Sequence, residues 1–374
     1  MAATQSPEPR VVHLDDGRIW RGGQNQVWLL TGELAGHGVA QQLVTPVGTS
    51  LAQRARESGI EVIALEMRGE LDWLSPRRIA RVARDFDANL IHAHTSHAHA
   101  LGLRALRRMG DGARLVSTRR VDFPVGRGFF SCRKYTAAGQ HFIAISERVR
   151  EVLIEGGVPA ERIDVVASGV PPLPPESLWP RDRVRADLGI GPDEIAIVNV
   201  GALTDHKGQR WLIEASPCVI EAFPQARIHI LGEGELRSDL ESQIRRLGLE
   251  RGVVLHGHIG EARLKLAGFD LYVSSSHMEG LGTATLDAML AGLPVVAAAA
   301  GGVPEIVQQG RTGRLTPPKD APALAQAIIL ALTEPDQSRR MADAARRRTR
   351  EKFSVSAMAE GTLDVYRRLL ARSL

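Results

Sequence analysis

Short runs rich in β-branched and aliphatic residues alternate along this chain with longer stretches in which apolar residues return every three or four positions. The first half carries VVHLDD, QQLVTPV, EVIALEM, LIHAH, RLVSTRR, HFIAIS and RIDVVASG; the second carries IAIVNVG, RIHILGEG, VVLHG, LYVSSS and PVVAAA. Each run has the length of a buried strand. Most of the intervening stretches have the period of a helix, as in PRRIARVARDF, which sets Ile79, Val82, Ala83 and Phe86 on one face. Strands alternating with helices predict parallel sheets covered on both faces. In such sheets ligands bind beyond the carboxyl ends of the strands.

The pattern is interrupted once. GVPPLPPESLWP, residues 169–180, holds five prolines, which can extend neither a helix nor a central strand, so it reads as a stiff linker between two doubly wound α/β domains. A length of 374 residues and 44% hydrophobic content suffice for a core in each. A ligand site is then expected in a cleft between the domains.

Composition removes several classes. The net charge is +4, and the whole excess falls within residues 1–175; aromatics make up 4%. A nucleic-acid protein would show a denser basic stripe with stacking aromatics, so no nucleic-acid partner is expected. Cys132 and Cys218 lack the spacing of a metal or redox site and read as inert. The opening MAATQSPEPR has no apolar core of a signal peptide, and LPVVAAAAGGVP is too short and too rich in Gly and Pro to span a bilayer, which predicts a cytoplasmic protein.

Residues 274–306, SSSHMEGLGTATLDAMLAGLPVVAAAAGGVPEI, hold the densest chemistry. A strand ending near Ser276 is followed by a helical TATLDAMLA, closed by Gly292 and Pro294, so the glycines lie at a strand-to-helix turn. Gly280 and Gly282 allow a ligand to approach the backbone, and the amides from Leu281 to Ala284 form a positive pole for an anion. Glu279 and Asp287 can accept hydrogen bonds from hydroxyls on either side of that pole. Equally, they can favour a helix N-terminus by about 0.3–1 kcal/mol with no ligand at all. No P-loop is present, GEGELR at 232–237 lacks the third glycine of a dinucleotide fingerprint, and there is no Gly-x-Ser-x-Gly elbow.

The same segment resembles the nucleotide-sugar motif of the retaining glycosyltransferases of family 4, through EGLGTATLDAMLAGLPVVA and GGVPEIVQQGRTGRL. WRGGQNQ is similar to that family's N-terminal glycine loop, residues 143–170 to the segment closing its first domain, and VGALTDHKGQRWLIEA to the first strand and loop of its second. The resemblance implies a GT-B architecture of two Rossmann-like domains facing a cleft: an acceptor domain over 1–172, a nucleotide-sugar domain over 173–353, and a helix over 354–374 returning to the first. It implies transfer from a nucleoside-diphosphate sugar with retention, with neither cofactor nor metal. By the resemblance Glu279 holds the donor sugar, Gly280, Leu281, Gly282 and Thr283 meet the diphosphate, Asp287 holds the ribose, and Lys207 neutralises the leaving group. Gly22, Gly23 and Gly201 complete the donor site, and His94 faces donor and acceptor. Ala202 stands where the family usually has Arg, with His206 or Arg210 as candidates to compensate, and Asp287 is one methylene shorter than the commoner Glu.

HAHTSHAHA, residues 92–100, offers four histidines without the carboxylates or cysteines of a usual zinc site. His92, His97 and His99 are expected to be satisfied by backbone. The basic faces of SPRRIARVARDF and RALRRMG predict a solvated surface or a weak, peripheral contact with the inner face of an anionic membrane. The acceptor is a glycan, lipid or small molecule, with cell-envelope polysaccharide synthesis as the expected setting. A nucleotide-sugar epimerase or a non-catalytic binder on the same scaffold is the alternative.

Overall fold

The computed structural model describes residues 7–371 apart from 71, 111–112 and 127–128; of residues 129–132 the backbone alone is described. The side chain of Cys132 therefore lies outside what is described, while Cys218 is an exposed free thiol. The chain forms two compact units, one made of Met1–Gly169 with Val355–Leu374 and the other of Val170–Ser354.

The first unit has strands β1 (Arg10–Leu14), β2 (Ala40–Thr45), β3 (Glu61–Ala64), β4 (Leu90–Ala93), β5 (Arg114–Arg119), β6 (Gln140–Ala144) and β7 (Ile163–Val165), in the order 3-2-1-4-5-6-7. Every pairing is parallel. Strands β4 and β6 are buried along their length and β1 from its second residue on, whereas β3, at the edge, is exposed or half-buried throughout. The C-terminal helix Val355–Ala371 places Val355, Met358, Leu363 and Tyr366 in one core with Val11, Leu30, Leu90 and Val116. Each such side chain contributes about 1.5–3 kcal/mol by its burial.

The second unit has β8 (Ile195–Val200), β9 (Ala226–Leu231), β10 (Val253–Gly257), β11 (Leu271–Ser274), β12 (Val295–Ala298) and β13 (Arg314–Thr316), in the order 10-9-8-11-12-13 and again parallel. The short β13, hidden within GRLT, carries too few apolar residues to be read as a strand. The proline segment belongs to this unit from Val170 onward. Val170 pairs with Ser354, its amide bonds Phe353 O at 2.8 Å, and the cations of Arg183 and Lys265 lie over the Trp179 ring at 3.9 and 4.5 Å from its centre. The segment expected to be a stiff linker is thus docked by backbone and cation–π contacts.

Both sheets reverse their order once, between β1 and β4 and between β8 and β11. At such a switch point the two connections leave in opposite directions and open a crevice beyond the strand ends. The residues that follow those four strands are the ones with unusual chemistry.

Candidate active site

In the second unit β8 ends at Val200 and β11 at Ser274, and two turns that follow them are fastened together. Asp205–Lys207 forms a 3-10 turn closed by Gly208 in the left-handed region at φ 64°. A Cβ on Gly208 would lie 2.3 Å from Ser275 O, so this close approach requires glycine as the φ does. Ser275 Oγ donates to Lys207 O at 3.1 Å, and His277 N donates to His206 O at 2.9 Å. The result sets Lys207 Nζ 2.5 Å from Glu279 Oε2, to which Ser276 Oγ also donates at 3.3 Å. Side-chain exposures of 25% and 16% shield this pair more than an ordinary surface pair.

Glu279 is held from the other side as well, since Gly302 N donates to its carbonyl at 2.9 Å. Beyond it Gly280 and Leu281 are buried, and Gly282, at φ 101°, caps the helix Thr283–Ala291. Thr285 N and Leu286 N donate to Gly282 O at 3.0 and 3.1 Å, so the amides at the head of the helix are those of Thr283 and Ala284, which are half-buried rather than covered. A cation, a carboxylate and a helix N-terminus therefore sit together at the switch point.

Asp287, one turn into the helix, is engaged differently. Its Oδ1 accepts from Arg263 Nε at 3.0 Å, and Arg263 Nη2 donates to Pro171 O at 2.8 Å. Burial pushes the Asp287 carboxyl above its usual range, and Arg263 pulls it back. Sequence reasoning missed Arg263, which no motif marks. At the position of Ala202 the backbone carbonyl accepts from Gln209 Nε2 at 3.0 Å. Of the two candidates to replace the absent Arg, Arg210 pairs with Asp205 at 3.7 Å and His206 Nδ1 meets Thr204 Oγ1 at 3.2 Å. The glycines of GEGELR have a structural use: a Cβ on Gly232 would meet Gly201 O at 1.8 Å, and one on Gly234 would meet Leu203 O at 2.4 Å. They let the turns after β8 and β9 lie against each other.

In the first unit the switch point is built from imidazoles. The register of β1 on β4 sets His13 opposite His92, and His94 follows directly, its amide bonded to Leu14 O. His13 Nδ1 and His94 Nε2 are 3.0 Å apart, and Arg120 Nη2 lies 3.4 Å from His94 Nδ1. Arginine can donate and not accept, so His94 Nδ1 is the acceptor, His94 carries its proton on Nε2, and it donates to His13 Nδ1. The proton of His13 is then on Nε2, a buried atom without a hydrogen-bond partner among the described residues. His92 is satisfied by Tyr366 Oη and Thr118 Oγ1, both at 2.6 Å.

Burial holds His13 down to about 3, and holds His92 and His94 well below the usual imidazole range, with Arg120 adding to both. The same burial lowers the Arg120 guanidinium to about 10, against the pull of Asp15. Asp15, 1% exposed, accepts from Gly17 N and Gln24 Nε2. Ligand nitrogens of His13, His92 and His94 lie within 4.8 Å of one another, a spacing that could hold an ion. Against a cation there stand the Arg120 charge and the partners that His92 already has on both nitrogens.

The other histidines of the run find side chains, not the backbone expected of them: His97 meets Asp16 at 3.0 Å and His99 meets Gln140 at 2.7 Å. Gly22 and Gly23 also differ from expectation, because they open the helix Gly22–Gly36 and are not part of a loop. A Cβ on either meets nothing within 4 Å, whereas one on Gly17 would meet Gln24 Nε2 at 2.2 Å. Packing constrains Gly17, and leaves Gly22 and Gly23 with open space in front of them.

Two family models match the chain in succession: Glycosyltransferase Family 4 over residues 20–172 and Glycosyl transferases group 1 over residues 180–348. The chain belongs to the family 4, group 1 glycosyltransferases. An uncharacterized glycosyltransferase of Methanocaldococcus jannaschii is 29% identical over 60% of this chain and 59% of its own. The sulfoquinovosyl transferase of Arabidopsis thaliana is 30% identical over 66% of this chain and 50% of its own. The chain thus spans between about half and three-fifths of these relatives. Among solved structures, HepE of Anabaena in complex with UDP and glucose superposes with a TM-score of 0.83 at 22% identity, covering 96% of this chain and 99% of that one. The fold of this family 4 member is accordingly GT-B, with two doubly wound domains.

Proposed function

We propose that this chain is a retaining glycosyltransferase that moves a sugar from a nucleoside-diphosphate sugar to a hydroxyl of a glycan, lipid or small molecule, without a metal. The observation that carries the reading is the Lys207–Glu279 pair beside the N-terminus of the helix Thr283–Ala291. Breaking the donor's C–O bond pushes charge onto the diphosphate, and a fixed ammonium with oriented amides stabilises that charge more in the transition state than before it. The ammonium has three protons, so it can meet a phosphate oxygen while keeping Glu279, or release that carboxylate to the sugar hydroxyls. Thr283 and the glycines Gly280 and Gly282 approach the diphosphate. Asp287 takes the ribose diol, with Arg263 orienting its carboxylate.

His94 enters as a neutral hydrogen-bonding group, not as a charged acid, because burial and Arg120 both oppose its protonation. The HepE structure holds UDP and glucose, which supports a nucleotide-sugar donor here. Retention follows from same-face attack by the acceptor hydroxyl, with no carboxylate assigned as nucleophile. Exposed Trp73 and Leu74 beside the arginines of Ser75–Asp85 support a peripheral contact with an anionic membrane at the cytoplasmic face, as an enzyme of envelope polysaccharide synthesis would make. Among the described residues no helix is long and apolar enough to cross one.

The test is a panel of nucleotide sugars, followed by NMR of the anomeric proton in the product, with and without EDTA. Retained configuration and activity in chelator are expected. Sugar isomerised in place without transfer would favour the epimerase, and donor bound but unchanged with every acceptor would favour a non-catalytic binder. The missing cation at Ala202 gives that second reading its one specific support.

A further inference from the structure

The basic run at 345–353 plays no part in the proposed reaction, and its residues divide by what they touch. Arg346 donates to Leu290 O at 3.0 Å and Ala291 O at 2.8 Å, closing the C-terminus of the helix Thr283–Ala291. Arg348 donates to Glu305 O at 2.9 Å and lies over the Phe353 ring at 5.6 Å. Arg347 and Lys352 have no side-chain hydrogen bond or ion pair among the described residues. Neither has Arg311, which stands in the turn before β13.

These three cations, with Arg348, line one cavity of about 410 Å³. Among its lining residues the carboxylate is Glu351 alone. Gln308 and Thr312 add an amide and a hydroxyl; Thr312 Oγ1 accepts from Gln308 N at 2.8 Å, which leaves its proton to be donated. Arg348 Nε is buried without an acceptor. On the same helix Arg339 pairs with Asp336 at 2.8 Å, while Arg340 and Arg350, like Arg347 and Lys352, have no side-chain hydrogen bond or ion pair among the described residues; what sets Arg347 and Lys352 apart is that they face Arg311 across one cavity. The dipole of the helix Pro335–Lys352 favours cations in its last turn, but it does not account for Arg311, which comes from another element.

We propose that this cavity binds the phosphate of a phosphorylated polyol. The cations supply charge-assisted hydrogen bonds to the phosphate oxygens, and Glu351 and Gln308 supply acceptors for hydroxyls. The volume falls within the range of small-molecule sites and exceeds the needs of a single inorganic ion. None of these residues belongs to the site proposed for the donor, so the inference stands apart from the reaction. The ligand is either a soluble sugar or polyol phosphate or the headgroup of an anionic lipid.

The experiment uses the full chain carrying Lys207→Ala, to weaken phosphate binding at the donor site, and in the vesicle arm also Gln at Arg77, Arg78, Arg81 and Arg84, to remove the sedimentation expected of the helix Ser75–Asp85. Glycerol 3-phosphate and inorganic phosphate are titrated by calorimetry, and sedimentation is measured with vesicles of phosphatidylglycerol in phosphatidylcholine. Saturable binding is expected in one arm, which identifies the source. Adding Arg311→Gln, Arg347→Gln and Lys352→Gln should weaken it by about tenfold or more with the melting temperature unchanged. Arg347→Gln alone, at an exposed residue without a partner, should move it the same way by less, which covers failure of the triple variant to fold. Absence of binding in both arms, or equal binding by the variants, overturns the proposal.

Discussion

The two switch points solve opposite electrostatic problems with the same topology. Beyond β8 and β11 two turns are zipped by backbone hydrogen bonds so that a lysine and a glutamate, charged and half-buried, face each other beside a helix N-terminus. At the ends of β1 and β4 the side chains are the buried imidazoles of His13, His92 and His94, kept neutral, and the charge beside them belongs to Arg120 and Asp15. The first arrangement can exchange its internal ion pair for a charged ligand. The second cannot gain a charge cheaply, and suits a role of orientation: Arg120 holds His94, and His94 holds His13, in one tautomer each.

The largest expected effects break the charged side. Glu279→Ala should lower turnover roughly a thousandfold or more, while binding of nucleoside diphosphate holds or tightens because Lys207 is released. Lys207→Ala should weaken diphosphate binding and transfer together, by about 2–4 kcal/mol. Titration of both variants with the nucleoside diphosphate of the active donor checks the contrast. A parallel loss of nucleotide affinity in Glu279→Ala would sink the division of roles.

Next come two glycines that look alike in sequence and differ in the structure. Gly208→Ala places a Cβ against Ser275 O in a left-handed turn, at about 1–2 kcal/mol of backbone strain before the clash is relieved. It should lower the melting temperature and the activity together. Gly22→Ala has open space in front of it and removes a glycine from a helix, so stability should be unchanged or rise by about 0.5–1 kcal/mol. Activity lost without stability in Gly22→Ala would support a ligand approaching there. Unchanged activity would remove Gly22 from the donor site.

What the sequence made legible follows this same division. The segment after β11 is local: Glu279, the glycine turn and the helix it opens lie within a dozen or so residues, so spacing alone brings them together. The helix has the bounds that its pattern predicts, since Gly292 at φ 81° ends it where the pattern stops. The imidazole cluster is not local. His13 and His94 stand 81 positions apart and meet through parallel strand register, which periodicity does not reveal. Arg263, which meets Asp287 from 24 positions away, and Arg120 are invisible for the same reason, as neither stands in a motif.

The neutral side predicts a pH dependence. Between the ordinary imidazole pKa and the lowered folded values, the unfolded chain binds protons that the folded one refuses, so stability falls as pH drops below about 6.5. Each such histidine contributes up to about 1.4 kcal/mol per pH unit across that window, which for His13 extends down to about 3. The raised carboxyls of Asp15 and Asp287 act in the opposite sense, and do so in variant and parent alike. His13→Asn should therefore flatten the decline of chemical-denaturation stability between pH 6.5 and 4.5. An unaltered slope would mean that His13 does not refuse its proton.

The smallest effect concerns the surface of the first unit, where charge and apolar exposure meet. On the helix Ser75–Asp85 the arginines are less free than their sequence suggests: Arg77 lies over Trp73 at 5.1 Å, Arg81 pairs with Asp85 at 3.6 Å, and Arg84 reaches Arg108 O. Trp73 and Leu74 nevertheless stay 62% and 43% exposed at its start, where a bilayer interface would take them up. Each basic residue near an anionic surface is worth about 1 kcal/mol and is screened within about 8 Å at physiological salt. Weak, salt-sensitive sedimentation with anionic vesicles is expected, and Gln at Arg77, Arg78, Arg81 and Arg84 should abolish it without altering transfer to a soluble acceptor. Trp73→Ser in the otherwise unchanged chain should weaken the same sedimentation. If the parent protein ignores such vesicles at low salt, the arginines are a solvated helix face and the acceptor is soluble.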